Sequence, residues 1–311
     1  MTAAGAGGPG GEPSARSSWS GRLAGLVASL RSVVAGLPYY LSYRLYETVA
    51  FGLPHRLDGA AGAGRRAIVV LNGASLAELS PESLADGDIF VCNDFCRTPF
   101  FEALRPRYYV LADQQYYAGS ITASGRPVRA ESLEILNRRA AWPIRVFLPL
   151  DARREGLSAY LGNPLLERLH FSKAPLPGEG RLSRWMLYRT GAMPYVANVS
   201  VAMIALAVKL GYRRIDVFGL DMSFYRYFRV DRQNLAHIGS SYFYEHDKVE
   251  PYMISAKTEG GYVRGNARIF FERMFQTIDE HWKIAAMTRG RTTIVNHSGD
   301  SVIDCYERGE R

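Results

Sequence analysis

Arg66-Ala67-Ile68-Val69-Val70-Leu71-Asn72-Gly73-Ala74-Ser75-Leu76 decides the fold. Two arginines lead into an unbroken apolar run rich in β-branched residues. That is the pattern of a strand buried on both faces of a parallel sheet. At Asn72-Gly73 a small polar residue and a glycine let the main chain turn sharply, and Ser75 opens a short turn or helix. Ligands bind at the carboxyl ends of strands in an open α/β sheet, which makes Asn72, Gly73 and Ser75 candidate nucleotide contacts. The motif is not a GxGxxG fingerprint, and a plain strand–turn is the alternative reading.

Outward from this stretch the pattern recurs. Ile89-Phe90-Val91-Cys92 reads as a second strand ending at Asn93, and Tyr108–Ala112 as a third ending at Asp113. Three successive strands thus end in Asn72, Asn93 and Asp113, which are expected to converge on one crevice. Ile144–Leu148 is a fourth strand. Ile215–Leu220 is a fifth, followed by Asp221, with Gly219 allowing close backbone approach. Thr292–Val295 is a last strand running into Asn296-His297-Ser298. Helices are expected through Ala197–Leu210 and from Asn266 to Ala286. The fold class is therefore α/β: a Rossmann-like parallel sheet with helices on both faces and a lid, plus N-terminal amphipathic helices. The catalytic domain spans residues 65–311, with lid elements in 150–187 and 225–262.

The chain has 311 residues, 47% of them hydrophobic, enough for a full core. A formal charge of +8 suits an anionic partner. The basic residues are scattered and no nucleic-acid-binding pattern accompanies them, so nucleic acid is not an expected partner. Three cysteines give neither a disulfide framework nor a metal pattern and point to a reducing, cytoplasmic setting.

Residues 1–20 read as a disordered tail without the layout of a secretory signal. Residues 21–64 read as an amphipathic membrane- or partner-associating segment and linker. Leu23, Leu26, Val27, Leu30, Val33, Val34 and Leu37 repeat at helical spacing, Pro38 interrupts, and a Tyr/Leu-rich piece follows to Phe51. Arg22, Arg31 and Arg44 break any clean apolar span, which argues against a transmembrane helix. Two amphipathic pieces suit the inner face of the cytoplasmic membrane as a peripheral contact, or the domain's own core. A homo-oligomer stays open.

Several stretches together resemble one family. They are Val70–Leu76, Phe90-Val91-Cys92-Asn93-Asp94-Phe95, Arg189-Thr190-Gly191 with the helix after it, Leu210–Asp221, and Tyr242-Phe243-Tyr244-Glu245-His246-Asp247-Lys248. Their order and spacing resemble the bacterial CMP-sialic acid-dependent sialyltransferases of the Campylobacter type, over roughly residues 66–300. The resemblance implies a Rossmann-like domain with a lid, a GT-A-like variant, with inversion at the anomeric carbon, a CMP-activated sugar as donor, and no essential cofactor or divalent metal. Leu71 and Ala74 stand where the family's opening turn has its first glycine and its proline. Asp113 stands where an asparagine is common, so the donor sugar can differ from sialic acid. The opening turn also resembles an archaeal pterin pyrophosphokinase-like family.

On this reading His246 is the general base, with His237 its closest rival, because an imidazole titrates near neutral pH. Tyr225 resembles a phosphate-binding tyrosine. Arg189 holds a donor or acceptor carboxylate, or else a structural ion pair at a helix start. Asn72, Gly73, Ser75, Asn93, Asp113, Thr190, Gly191, Asp221, His297 and Ser298 are the expected nucleotide-side contacts. The acceptor is a saccharide or a lipid-linked glycan. Two rivals remain: a pyrophosphokinase-like enzyme using ATP and Mg²⁺ on Asp113 or Asp221, and a non-catalytic assembly protein at the membrane.

Overall fold

The computed structural model describes residues 19–78, 84, 86–119, 126–178, 180–239, 249–254 and 263–309. The helices are α1 (Trp19–Phe51), α2 (Phe100–Leu104), α3 (Ala130–Arg139), α4 (Arg181–Arg189), α5 (Val199–Lys209) and α6 (Ala267–Thr288). The first strands are β1 (Arg66–Val70), β2 (Asp88–Cys92), β3 (Tyr108–Val110), β4 (Ile144–Pro149), β5 (Leu166–Phe171) and β6 (Arg214–Phe218). Next come β7 (Arg229–Val230), β8 (Ala236–Gly239) and β9 (Val249–Pro251), an antiparallel three-stranded sheet. A second antiparallel pair joins β10 (Met253–Ile254) to β11 (Val263–Arg264). Finally β12 (Thr293–Asn296) and β13 (Glu307–Arg308) complete the main sheet.

That sheet has eight strands in the order β13-β12-β6-β1-β2-β3-β4-β5, all paired in parallel. The chain steps outward from β1 to β5, then returns to lay β6 on the other side of β1. The direction of winding reverses between β1 and β6, and such a point opens a crevice at the strand ends. Alternation along each strand feeds two cores. Ala67, Val69 and Leu71 join α5 and part of α6 on one face. Ile68 and Val70 join α2 and α3 on the other. Within α5, Val201 through Val208 are essentially inaccessible to solvent, and each large aliphatic side chain so buried contributes about 1.5–3 kcal/mol.

The basic pair at the start of β1 sets its place. Arg65 pairs with Asp88 on β2, while Arg66 Nε donates to Asp216 on β6 at 2.6 Å. One arginine therefore reaches each neighbouring strand.

The structure adds elements in stretches expected to be loops. β5 lies inside 150–187 and α4 begins there and runs on to Arg189; β5 is an edge strand of the main sheet and α4 packs on α5 and α6. The N-terminal segment is one continuous helix rather than two pieces, with Pro38 inside it. Val27, Leu30, Val34, Pro38, Leu41, Leu45 and Val49 follow one another at steps of three or four along its exposed side. Pro38 sits in that stripe, so the gap in the hydrogen-bond ladder faces away from the domain. The opposite side packs. A Cβ at Gly36 would lie 2.7 Å from the main chain of Pro177, and Glu47 is buried, accepting from Arg44, Ser172 Oγ and Lys173 N. Near its end the helix thus turns the Arg44–Glu47 pair inward while an apolar stripe faces outward. Among the described residues no helix is long and apolar enough to cross a membrane. The Gly/Ala-rich residues after the helix are docked: Gly62 N donates to Leu210 O at 2.8 Å.

His281 ties three elements together. Its Nε2 meets Ser200 Oγ and its Nδ1 meets Tyr306 OH, each at 2.9 Å. Burial pushes its pKa down to about 3. Above about pH 6.5 the ring is neutral in folded and unfolded chains alike. As pH falls from there toward 3 the unfolded chain takes up a proton that the native site refuses, so stability drops by about 1.4 kcal/mol per pH unit. Urea unfolding of wild type and His281→Gln at pH 7 and pH 5 should show the variant losing about 2 kcal/mol less over that interval. Equal losses in the two proteins would dismiss the assignment.

Candidate functional site

Past the end of β1 the main chain stays paired to β6: Leu71 N donates to Phe218 O at 2.9 Å and Gly73 N to Gly219 O at 3.0 Å. This close approach requires glycine at both places. A Cβ on Gly73 would lie 2.4 Å from Gly219 O, and one on Gly219, whose φ is +69°, would lie 2.6 Å from Leu71 O. Asp221 then reaches back to the turn and accepts from Ser75 N at 2.7 Å and Ser75 Oγ at 2.5 Å. Gly73, Ser75 and Asp221 together hold the two strand ends in one rigid unit.

A cavity of about 120 Å³ opens beside this unit, walled by Asn72, Gly73, Asn93, Asn198, Ser200, Asp221 and Met222 among others. Asn72 is 6% exposed, and its Nδ2 donates to Cys92 O at 3.4 Å. The reverse amide orientation would set two oxygens against each other, so Oδ1 is fixed on the remaining side. Asn72 Oδ1 and Asn93 Oδ1 are both buried without a hydrogen-bond partner. A buried polar atom left so is destabilising by about 1–3 kcal/mol. Asn93 and Met222 adopt left-handed backbone, at φ 54° and 50°. Asparagine tolerates this; a methionine there stores strain of the kind that gathers at functional sites. The opposite wall is the start of α5, where Asn198 Oδ1 accepts from Ser200 N at 2.9 Å. Unpaired N–H groups and the helix dipole make this end hospitable to an anion.

No protein-family model and no curated protein matches the chain. The site must be read from its own chemistry. It offers two acceptor oxygens, the positive end of a helix, and a carboxylate already engaged by Ser75. Burial, with Asp94 nearby, pushes the Cys92 thiol far above its ordinary value, so it stands neutral in the wall.

The expected contacts divide. Asn72, Gly73, Asn93 and Asp221 line the crevice, and Ser75 braces it through Asp221. Asp113 is not among its lining residues. It is exposed at the start of a short turn, accepting from Gln115 N at 3.1 Å, because a strand must end in something polar whether or not it faces a ligand. His297 does not line the crevice either: its Nε2 bonds Asp216 at 2.7 Å and its ring stacks on Phe218. Ser298 Oγ accepts from Leu220 N at 2.6 Å, steadying the loop after β6. Tyr225 lies one residue beyond the lining residue Phe224 and packs toward the aromatic cluster of Tyr252 and Phe270. Arg189, Thr190 and Gly191 wall a different cavity, of about 490 Å³, which shares no lining residue with the crevice. His246 lies outside the described residues, between β8 and β9 in the chain. Among the described residues no three metal-ligating side chains gather.

Asn198, Ser200 and Met222 were not foreseen. Asn198 could have been, since an asparagine before an apolar helical run is an N-cap signature.

Proposed function

We propose that the crevice binds the nucleotide of a CMP-activated ulosonic sugar, sialic acid-like or Kdo-like. On this reading the protein is an inverting, metal-independent glycosyltransferase acting on a saccharide or lipid-linked acceptor in bacterial surface glycan synthesis. The supporting observation is the pair of buried, unpartnered oxygens on Asn72 and Asn93 at the sheet's switch point. Both demand hydrogen-bond donors. Cytidine supplies them in its amino group and ribose hydroxyls, while its phosphate suits the start of α5. The cavity is smaller than the roughly 300–1,000 Å³ of usual ligand sites, so it takes one moiety and leaves the sugar outside. His246 would accept the proton of the acceptor hydroxyl as its oxygen attacks the anomeric carbon. CMP would leave from the opposite face, its growing charge met by α5 and Tyr225. The outward apolar stripe of α1 would rest on the inner face of the cytoplasmic membrane.

A thermal-unfolding panel of CMP, CDP, UDP, GDP and ATP, with and without Mg²⁺, tests the nucleotide. CMP at a hundred times its Kd should stabilise the protein by about 2.7 kcal/mol without metal. A response to ATP with Mg²⁺ alone would replace this reading by the pyrophosphokinase-like one. Silence toward every nucleotide would favour a non-catalytic assembly role.

A further inference from the structure

The 490 Å³ cavity lies where α1 ends. Leu53, exposed like Leu45 and Val49, follows the end of the helix and enters the cavity wall. Around it stand Arg44, His55, Arg56, Arg189 and Lys209, and no Asp or Glu lines the space. Arg44 is paired with Glu47 at 3.0 Å. Lys209, deep in the wall, donates to the carbonyls of Leu187 at 2.8 Å and Thr190 at 2.9 Å, and burial pulls its pKa down to about 7, so the lasting positive charge of the cavity is on its arginines. Among the described residues Arg56, Arg189 and Lys209 form no ion pair with a carboxylate. A neighbouring cavity of about 450 Å³ shares His55 and adds Arg153, Arg168 and His170, again with no carboxylate in its wall. Burial first, then Arg153, His55 and Arg168, hold His170 down to about 4, so the charge of this corner near neutral pH rests on Arg153 and Arg168.

Positive charge gathered in a concavity without internal counter-ions attracts an anion. Guanidinium forks match phosphate oxygens in two-pronged hydrogen bonds. We propose that this cavity binds the phosphate of an anionic lipid, whose acyl chains lie along the outward stripe of α1. The apolar side chains favour the lipid source over a soluble phosphate, because exposed Leu53 stands in the cavity wall beside the arginines, two residues after α1 and its outward apolar stripe end. This site rests on α1 lying at a membrane and is independent of which nucleotide the crevice takes.

Full-length protein is floated with vesicles of phosphatidylcholine alone or with added phosphatidic acid. Phosphatidic acid should tighten binding. The double variant Arg56→Gln, Arg189→Gln should lose roughly twenty-five-fold of that gain, at about fivefold per arginine near an anionic surface. Its binding to phosphatidylcholine alone and its unfolding midpoint should match wild type, since both arginines are exposed. A control, Arg138→Gln with Arg232→Gln, removes two exposed arginines that line neither cavity and should keep most of the gain. Unchanged binding of the first variant, or an equal loss in the control, overturns the cavity site while leaving α1 at the membrane. Full displacement by glycerol 3-phosphate would make it a site for soluble phosphates and overturn the lipid assignment. Failure of wild type to float with either vesicle would overturn the membrane reading of α1 itself.

Discussion

Asp216→Ala is expected to destabilise the protein by about 3 kcal/mol, the lower end of the range for breaking a buried ion pair. The carboxylate is fully buried on β6 and gathers charge from three elements. Its Oδ2 accepts from Arg66 Nε at 2.6 Å and Arg214 Nε at 3.0 Å; its Oδ1 accepts from Arg214 Nη2 at 2.9 Å and His297 Nε2 at 2.7 Å. Burial alone would raise its pKa, but the hydrogen bonds from Arg214, His297 and Arg66 outweigh this and hold it below the ordinary value. Removing it leaves these partners facing a buried void. The loss stays at the lower end because Arg214 is half exposed and can turn to water. Asp216→Asn keeps the shape and should lose less. The contribution is full above about pH 4 and fades as pH falls through the lower folded-state value, so wild type and variant should converge in acid. Urea unfolding at pH 7 and pH 3 measures both quantities. A loss below about 1 kcal/mol at pH 7 would show the network to be no stronger than a surface pair.

This network explains why some of the fold could be read from sequence and some could not. The apolar runs of β1, β2, β4 and β6 are buried on both faces, and composition alone marks such strands. β5 is different: Leu166 and Phe171 are buried, but Glu167, Arg168 and His170 lie between them on an edge, so no apolar run announces it. Nor does a basic pair at the start of a strand say which strands it will grip. Arg65 and Arg66 found Asp88 and Asp216, which lie 23 and 150 residues away. The same distance problem governs the crevice. Polar strand ends at Asn72 and Asn93 meet because β1 and β2 are neighbours; Asp113 ends the next strand out and turns to solvent. Pro38 misleads for a local reason: proline disfavours a helix interior only when the lost bond matters, and on the outer stripe of α1 nothing else depends on it.

His246→Ala is expected to lower turnover by about 10²–10⁴-fold, the usual loss when a general base is removed. Within the crevice wall the described residues offer one carboxylate, Asp221, and Ser75 already occupies it. On the proposed glycosyltransferase reading the base comes from another part of the chain, and His246 follows β8 in sequence, after the crevice residues Met222–Phe224. Stabilisation by CMP should survive the substitution, because the base acts on the acceptor proton in the transition state and not on the bound nucleotide. His237 is the control. Its Nε2 is bound to Asp231 Oδ2 at 2.7 Å, and Asp231 also accepts from Gln233 N and Leu235 N. The pair closes the turn between β7 and β8, so His237→Ala should weaken that turn and slow the reaction far less. Initial rates with a CMP-activated ulosonic donor, alongside CMP-dependent unfolding shifts, separate the outcomes. Near-normal turnover in the His246 variant with a large loss in the His237 variant would transfer the role to the Asp231–His237 pair. Loss of the CMP shift together with turnover would instead mark His246 as a residue that shapes the nucleotide site.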